Sequence, residues 1–319
     1  MIQASDMKRG SPDRREMAAA RGGVVVALRS AVDYGIRFVT EPPRADPRVE
    51  GWPLMDSPWT TITAVAAYLY VVLVLGPRLM VNQKPLALRP ALIAYNAAQV
   101  LFSLFMFWEH LMSGWLFDYS FRCQPVDYSL RPQAMRMVNL CWWYYISKLT
   151  EFADTLFFIL RKKDSQITPL HLYHHSLTPI ETWICVKYIA GGHGTFSNLI
   201  NNIVHIIMYS YYLTAALGPE YSKYLWWKKY LTTIQMAQFV LVFYHSAQVL
   251  FINCGYPRIV AAFLLLHSSI FFVLFLDFYR GAYGVSWLNH KFLQLPGFKK
   301  DTNEMDKMVT QKKGHSKKQ

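Results

Sequence analysis

Seven long apolar runs, separated by short polar connections, are the feature that most constrains the fold of this 319-residue chain. A helix needs about 20 mostly apolar residues to cross a bilayer. Runs of about that length occupy residues 59–76, 91–115, 137–160, 170–190, 198–217, 230–252 and 259–279. We therefore expect an all-α, multi-pass membrane protein with seven transmembrane helices.

The amount and the placement of charge support this expectation. Charged residues make up 17% of the chain, whereas a typical soluble domain has about 25%. Lys and Arg outnumber Asp and Glu by 33 to 20, and the basic residues cluster in the tails and in short connections. This composition excludes a soluble enzyme domain, a disordered polar chain and a disulfide-stapled secreted module.

Basic residues also orient the predicted spans, because cytosolic loops of membrane proteins are rich in Lys and Arg. The connections after the first, third and fifth runs and the carboxyl-terminal tail are the basic ones. We therefore predict an extracytoplasmic and partly disordered amino-terminal tail over residues 1–57. A seven-helix membrane domain over residues 58–280 and a basic cytosolic tail over residues 281–319 follow it.

Three histidines lie at the start of the fourth run, where His171, His174 and His175 share one helical face. An ionisable side chain inside a span is costly and usually marks a functional path. The three imidazoles therefore indicate a functional site. Isolated histidines such as His245 and His267 are expected to be ordinary packing residues.

Three other spans also carry polar side chains at helical spacing. They are Lys148, Glu151 and Asp154 in the third span, Asn201 and His205 in the fifth, and Gln235 and Gln238 in the sixth. The lysine and the carboxylates either form a structural ion-pair network or orient the imidazoles, and the amides can join helices by hydrogen bonds. We expect four spans to bring these groups to the cytosolic half of the membrane.

The positions of His174 and His205 within their runs are in conflict with a shared site. His174 lies roughly 6 Å from the cytosolic start of its run, and His205 lies roughly 18 Å from the cytosolic end of its own. The two can meet only if the fourth helix starts earlier or the fifth extends into the cytosol.

Two cysteines fall in connections on the extracytoplasmic side of this topology. Cys123 follows the second run and Cys254 follows the sixth. Because an oxidising lumen permits disulfides, we predict a bridge between them.

Three kinds of function fit the polar cluster. The pattern HxxHH resembles one of the histidine clusters of membrane di-iron desaturases and hydroxylases, so a metal-dependent lipid oxidoreductase is one alternative. A lipid transporter, with the polar spans lining its path, is another. The third is acyl transfer by imidazoles without a metal, because a neutral imidazole is both a nucleophile and a general base.

Four motifs occur in order along the chain. They are Lys148-x-x-Glu151-x-x-Asp154-Thr155, His171-x-x-His174-His175, Asn201-x-x-Val204-His205-x-x-Met208-Tyr209-x-Tyr211-Tyr212 and Thr232-x-x-Gln235-x-x-Gln238. With these motifs, the sequence resembles the ELO family of very-long-chain fatty acid elongases, the membrane 3-ketoacyl-CoA synthases, over residues 52–300.

The resemblance implies an activity and a fold. Long-chain acyl-CoA would condense with malonyl-CoA in the endoplasmic reticulum membrane, giving a 3-ketoacyl-CoA, carbon dioxide and CoA, with no metal and no cofactor. Spans two to seven would form an inverted helical barrel around an acyl tunnel. Expected partners are the two CoA substrates, the lipid bilayer, a second copy of the chain and the later enzymes of the elongation cycle, and no nucleic acid.

We predict a ping-pong mechanism in which His174 takes the acyl group as an acyl-imidazole. His205 and Asn201 would assist activation of the thioester or decarboxylation of malonyl-CoA. His171 and His175 would complete the site. The supporting residues would be Lys148, Glu151, Asp154, Gln235 and Gln238. Basic residues expected to attract the CoA phosphates are Arg161, Lys162, Lys228, Lys229 and Arg280.

Overall fold

The computed structural model describes residues 44–283, and every regular element in that range is helical. The long helices are α1 (Pro58–Met80), α2 (Arg89–Trp115), α3 (Pro132–Thr150), α4 (Phe152–Leu160), α5 (Pro169–Ile189), α6 (Thr195–Ala216), α7 (Lys228–Phe251) and α8 (Arg258–Tyr283). The all-α fold class is thereby confirmed. The predicted disorder of the amino-terminal tail and the basic tail beyond residue 283 lie outside the described residues.

Four of these helices, α1, α2, α7 and α8, are long and apolar enough to cross a membrane. Large apolar side chains on their surfaces face outward, with Trp59 70%, Leu101 67% and Phe251 87% exposed. Such a surface suits contact with lipid tails and would be costly in water. The chain is therefore a membrane protein, and the less apolar helices α3 to α6 carry most of the polar residues singled out above.

Prolines and hydroxyl side chains fix where several helices begin. Pro58, Pro132 and Pro169 stand in the first turns of α1, α3 and α5, where proline lacks only an N–H that would be unpaired anyway. Before α5, the Thr168 hydroxyl accepts a hydrogen bond from the backbone N–H of His171 at 3.2 Å. The first turn of α5 is thus held in place beside the histidine cluster.

Each helix around the site packs against defined neighbours. Helix α3 contacts α2 and α5, α5 contacts α3 and α8, and α8 contacts α5 and α7. Helix α6 contacts α7 and α2, while α1 contacts α4 and α5. Polar side chains on α3, α5, α6 and α7 are thereby brought towards one another.

The third predicted span, 137–160, is interrupted at Glu151, which separates α3 from α4. Two side chains just before the break bond to backbone carbonyls. The Ser147 hydroxyl donates to Tyr144 O and the Thr150 hydroxyl donates to Ser147 O, each at 2.7 Å. Such bonds compete with the backbone hydrogen bonds of a helix and often bend it. The expectation of one uninterrupted helix is therefore wrong at this point.

Residues 46–55, which belong to the predicted amino-terminal tail, pack into the helical domain. The Arg48 guanidinium lies 2.6 Å from the Asp46 carboxylate and donates to Ala190 O at 3.0 Å and to Asp127 O. Val49 and Met55 are fully buried in an apolar cluster. This segment fastens the chain before α1 to the ends of α3 and α5.

Cys123 and Cys254, the two cysteines predicted to be bridged, form a disulfide in the structure. The bond joins the α2–α3 connection to the α7–α8 connection. The other two cysteines, Cys141 and Cys185, are free thiols within helices.

Candidate active site

Lys148 lies at the centre of the polar cluster, and its side chain is 2% exposed. Its Nζ donates to Glu151 Oε1 at 2.7 Å and to Asn201 Oδ1 at 3.0 Å. The same nitrogen is 4.7 Å from the centre of the Tyr144 ring, in cation–π geometry. Carboxylate, amide and ring together compensate a buried ammonium that would otherwise be very costly.

Asn201 connects three helices. Its Oδ1 accepts hydrogen bonds from Lys148 and, at 2.8 Å, from the Tyr144 hydroxyl. Its Nδ2 donates to Gln238 Oε1 at 3.5 Å, a long and therefore weak bond. Because the carbonyl oxygen is occupied by two donors, the amide N–H group is the part of Asn201 that can serve a ligand. Gln235 is placed apart, with its Nε2 3.5 Å from Met208 Sδ.

Glu151 brings the histidines of two helices together. The ligand atoms of Glu151, His174 and His175 all lie within 4.8 Å of one another. From α6, His205 Nδ1 lies 3.5 Å from Glu151 Oε1. The carboxylate thus lies between imidazoles of α5 and α6, and it is 1% exposed.

The positions of the helix ends explain how His174 and His205 share one site despite their different depths along their helices. The site lies roughly 8 Å from the start of α5 and roughly 16 Å from the end of α6. Helix α5 starts only one residue before the predicted run, at Pro169. The two helix ends are therefore not level, and α6 continues further beyond the site than α5 does.

His171 is connected to a different set of partners. Its Nε2 is 2.7 Å from the Thr155 hydroxyl, which is 3.0 Å from the Tyr68 hydroxyl of α1. The His171 ring also lies against His175, with 4.2 Å between ring centres. These contacts fit a residue that holds His175 in position.

Asp154 accepts a hydrogen bond from the Tyr209 hydroxyl at 2.8 Å. Among the described residues, no hydrogen bond joins its carboxylate to an imidazole. The expected support of the imidazoles by carboxylates therefore falls to Glu151, whereas Asp154 fastens α4 to α6.

A cavity extends from this cluster along one face of α5. Its lining includes Lys148, His174 and Asn201 at one end and Gly194 and Tyr256 at the other. Along α5 the lining residues run from His174 to Ile189, a distance of roughly 22 Å. The lining residues therefore follow α5 over most of its length, with His174 at one end.

The donor set at one end of the cavity is poorly suited to a divalent cation. Glu151, His174 and His175 are close enough to share a ligand, but the Lys148 ammonium is already 2.7 Å from Glu151 Oε1. A metal ion there would face a positive charge at close range. The arrangement suits imidazole and amide chemistry better than metal coordination.

The five basic residues expected to meet CoA all lie near helix ends. Arg161 follows α4, Lys228 and Lys229 begin α7, and Arg280 lies in the last turns of α8. Lys162 donates to Val81 O at 3.2 Å. The cavity lining contains none of the five.

Two side chains that line the cavity were not predicted from the sequence. Tyr144 precedes Lys148 by four residues and therefore shares its helical face, a signal that was present in the sequence. Glu181 is an ionisable residue in a predicted span, seven residues after His174. In the structure Glu181 Oε1 is 2.5 Å from His267 Nδ1, so His267 is not an isolated packing residue.

The fold and the site define a class: an all-helical membrane protein with imidazole, amide and carboxylate groups buried at one end of an elongated cavity. The model of the ELO family, described as the GNS1/SUR4 family, matches residues 53–289. A very long chain fatty acid elongase of Aedes aegypti is 54% identical, over 75% of this chain and 67% of the relative. Elongase 7 of Rattus norvegicus is 52% identical and elongase 1 of Homo sapiens 49% identical, each over 75% of this chain and 86% of the relative. The chain belongs to the ELO family of fatty acid elongases, which confirms the resemblance and the expectation of an elongating enzyme.

Proposed function

We propose that this chain condenses a long-chain acyl-CoA with malonyl-CoA, giving a 3-ketoacyl-CoA, carbon dioxide and CoA, as the first step of very-long-chain fatty acid elongation. The observation that carries the proposal is that His174 and Asn201 both line the polar end of one cavity, which runs roughly 22 Å along α5. The reaction uses imidazole and amide groups and no metal or cofactor.

In the first half-reaction, the His174 imidazole attacks the thioester carbonyl. A carbon–nitrogen bond forms and the carbon–sulfur bond breaks, while the proton of the imidazole leaves with CoA as its thiol. The amide N–H group of Asn201 stabilises the oxyanion of the tetrahedral intermediate. The nearest cysteine in the cavity lining along α5, Cys185, is eleven residues from His174, so the imidazole is the better placed nucleophile.

In the second half-reaction, malonyl-CoA loses carbon dioxide and the electron pair forms an enolate. The enolate carbon attacks the acyl-imidazole, a carbon–carbon bond forms, and the bond to His174 breaks. The released ring takes up one proton from solvent, through His205. Glu151, 3.5 Å from His205 Nδ1, holds that imidazole in position.

The proposal includes a topology. Helices α2 to α8 form spans two to seven, with α3 and α4 as one span, and close into a barrel around the cavity, while α1 packs outside. The sequence of contacts from α2 through α3, α5, α8, α7 and α6 back to α2 supports this closure.

The orientation follows from charge and redox chemistry. The Cys123–Cys254 disulfide favours a luminal position for that end of the helices. Arg161, Lys228 and Arg280 then lie on the cytosolic side, where CoA arrives. This arrangement fits the endoplasmic reticulum membrane, with the amino terminus luminal and the carboxyl terminus cytosolic. A homodimer and contacts with later enzymes of the cycle stay predictions.

The experiment is an assay of the purified chain in lipid nanodiscs with acyl-CoA and carboxyl-labelled malonyl-CoA. We expect labelled carbon dioxide and a 3-ketoacyl-CoA, and both should be lost in His174→Ala. His110→Gln is the matched control, because His110 is buried in α2 and bonds to Met106 O at 2.7 Å, outside the cavity lining. It should retain product formation.

Two outcomes would favour the alternatives. Activity lost on exhaustive chelation and restored by zinc or iron would favour a metal centre on Glu151, His174 and His175. No product from any acyl-CoA, together with lipid uptake into proteoliposomes, would favour transport.

A further inference from the structure

The middle of the cavity holds an ionisable pair that the condensation does not use. Glu181 of α5 and His267 of α8 both line the cavity, and Glu181 Oε1 is 2.5 Å from His267 Nδ1. Their side chains are 14% and 16% exposed, respectively. Glu181 Oε1 and His267 Nδ1 are buried, and among the described residues neither atom has a partner in hydrogen-bond geometry.

This pair lies at a defined depth. Glu181 follows His174 by seven residues on the same helix, which places it roughly 10 Å further along α5. A chain attached to His174 and lying in the cavity passes the pair at about that distance from its carbonyl carbon.

Hydroxyl groups add to the polar character of this part of the wall. The Thr178 hydroxyl donates to His174 O at 2.8 Å, and the Thr182 hydroxyl donates to Thr178 O at 2.7 Å. Because their hydrogens are used, both oxygens present lone pairs. Ser268 of α8, next to His267, also lines the cavity.

An unsubstituted hydrocarbon is poorly matched to this part of the cavity. Its methylene groups would displace water from Glu181 and His267 and offer no hydrogen bonds in return, and burying unpaired polar groups is costly. A hydroxyl group on the chain can donate to the carboxylate and accept from the imidazole. Sites built to bond a substrate hydroxyl discriminate strongly against the analogue that lacks it.

We propose that Glu181 and His267 recognise a hydroxyl group on the acyl chain, about two helical turns from the thioester, so that the preferred substrate is a mid-chain hydroxyacyl-CoA. This inference rests on the proposed condensation and names the substrate class for it. Glu181 and His267 are specificity-determining residues that touch the chain away from the reacting atoms.

The test compares acyl-CoAs of equal length that carry no hydroxyl or a single hydroxyl at successive positions. The full chain in nanodiscs is assayed for kcat/KM with each. We expect a maximum at one or two adjacent positions, about tenfold or more above the unsubstituted chain, as one net hydrogen bond to a charged group would give. This profile needs no variant.

Variants then assign the preference to the pair. The double variant Glu181→Leu with His267→Phe should abolish the maximum and bring hydroxylated and unsubstituted chains to equal kcat/KM. Glu109→Gln is the matched control, because Glu109 pairs with Arg136 at 2.7 Å outside the cavity lining. It should keep the wild-type ratio.

A flat position profile with the unsubstituted chain still elongated would overturn this inference and leave the condensation intact. So would a maximum that survives in the double variant. If no acyl-CoA of any kind is elongated, the proposed condensation fails and this inference fails with it.

Discussion

Replacing Glu151 by glutamine keeps the shape of the side chain and removes its charge from the most buried ion pair of the site. Lys148 would then lose its anionic partner and keep only uncharged ones, namely Asn201, the face of Tyr144 and the amide oxygen of the new glutamine. His205 would lose the carboxylate that lies 3.5 Å from its Nδ1. Stability and catalysis should both respond, for separate physical reasons.

The size of the stability effect follows from the geometry of the pair. Two unit charges 2.7 Å apart attract by about 6 kcal/mol at an effective dielectric constant of about 20. Desolvation of both groups offsets much of this gain, but removing one partner leaves the other charge buried and unpaired. We therefore expect Glu151→Gln to lower the free energy of unfolding by about 3–5 kcal/mol.

The catalytic effect should be measured at saturating acyl-CoA. A positioned general acid or base typically contributes about 10²–10⁴-fold to the rate, and we expect that losing the carboxylate that orients it lowers kcat by about 10²-fold. Chemical unfolding in mixed micelles measures the free energy of unfolding, and the rate of release of labelled carbon dioxide measures kcat. Glu109→Gln is the control, because its partly exposed pair with Arg136 is worth about 1 kcal/mol or less.

A double variant separates charge from shape. In Lys148→Met with Glu151→Leu no buried charge is left unpaired, so it should be more stable than Glu151→Gln, although inactive. Wild-type stability and kcat in Glu151→Gln would refute the role assigned to the pair. A double variant that loses the full sum of the two single effects would refute the coupling.

Three further results are expected away from the cluster. Arg48→Ala leaves the Asp46 carboxylate, 0% exposed, without its partner, and should lower the free energy of unfolding by about 3–5 kcal/mol; unchanged unfolding would contradict the packing of residues 46–55. Cys123→Ser with Cys254→Ser removes a disulfide between residues 131 positions apart, and should lower the free energy of unfolding by about 5 kcal/mol in the chain-entropy model. Wild-type unfolding that does not respond to a reductant would contradict a bridged luminal end. Burial lowers the pKa of His193, in the α5–α6 connection, below its usual value of about 6.5. Because the unfolded chain then binds more protons than the folded chain, the free energy of unfolding should fall as pH drops from about 6.5 towards the folded-state pKa. In unfolding measured across pH, His193→Gln should flatten this dependence.

Helical periodicity and apolar runs carry most of the information on local structure. Every predicted run coincides with a helix or a helix pair, because about 20 apolar residues bounded by proline and polar residues leave few alternatives. The break at Glu151 was not foreseen, since it depends on hydroxyl side chains that bond to the backbone once the helix has formed.

The residues of the site were foreseen better than their partners. An ionisable group in a span is visible in sequence, and Lys148, Glu151, His174 and His205 were found in this way. Which side chains come into contact depends on which helices are neighbours and on how far each helix extends past the next. A single sequence specifies neither. Asp154 consequently meets Tyr209 in place of an imidazole, and Glu181 meets His267 across α5 and α8.

The same limit applies to the segment before α1. Residues 46–55 contain no long apolar run, so hydropathy assigns them to a tail. Their order comes from Arg48, which contacts Asp46 on its own segment and carbonyl groups at the ends of other elements. Long-range contacts of this kind leave no periodic signal.

The central claim is that His174 carries the acyl group during condensation, and trapping the enzyme with acyl-CoA in the absence of malonyl-CoA tests it directly. We predict release of one CoA per chain and an added acyl mass on the peptide that contains His174, which disappears when malonyl-CoA is supplied. His174→Ala should give neither CoA release nor adduct. An acyl group on His205 or on a cysteine, or condensation without CoA release before malonyl-CoA is added, would contradict the account.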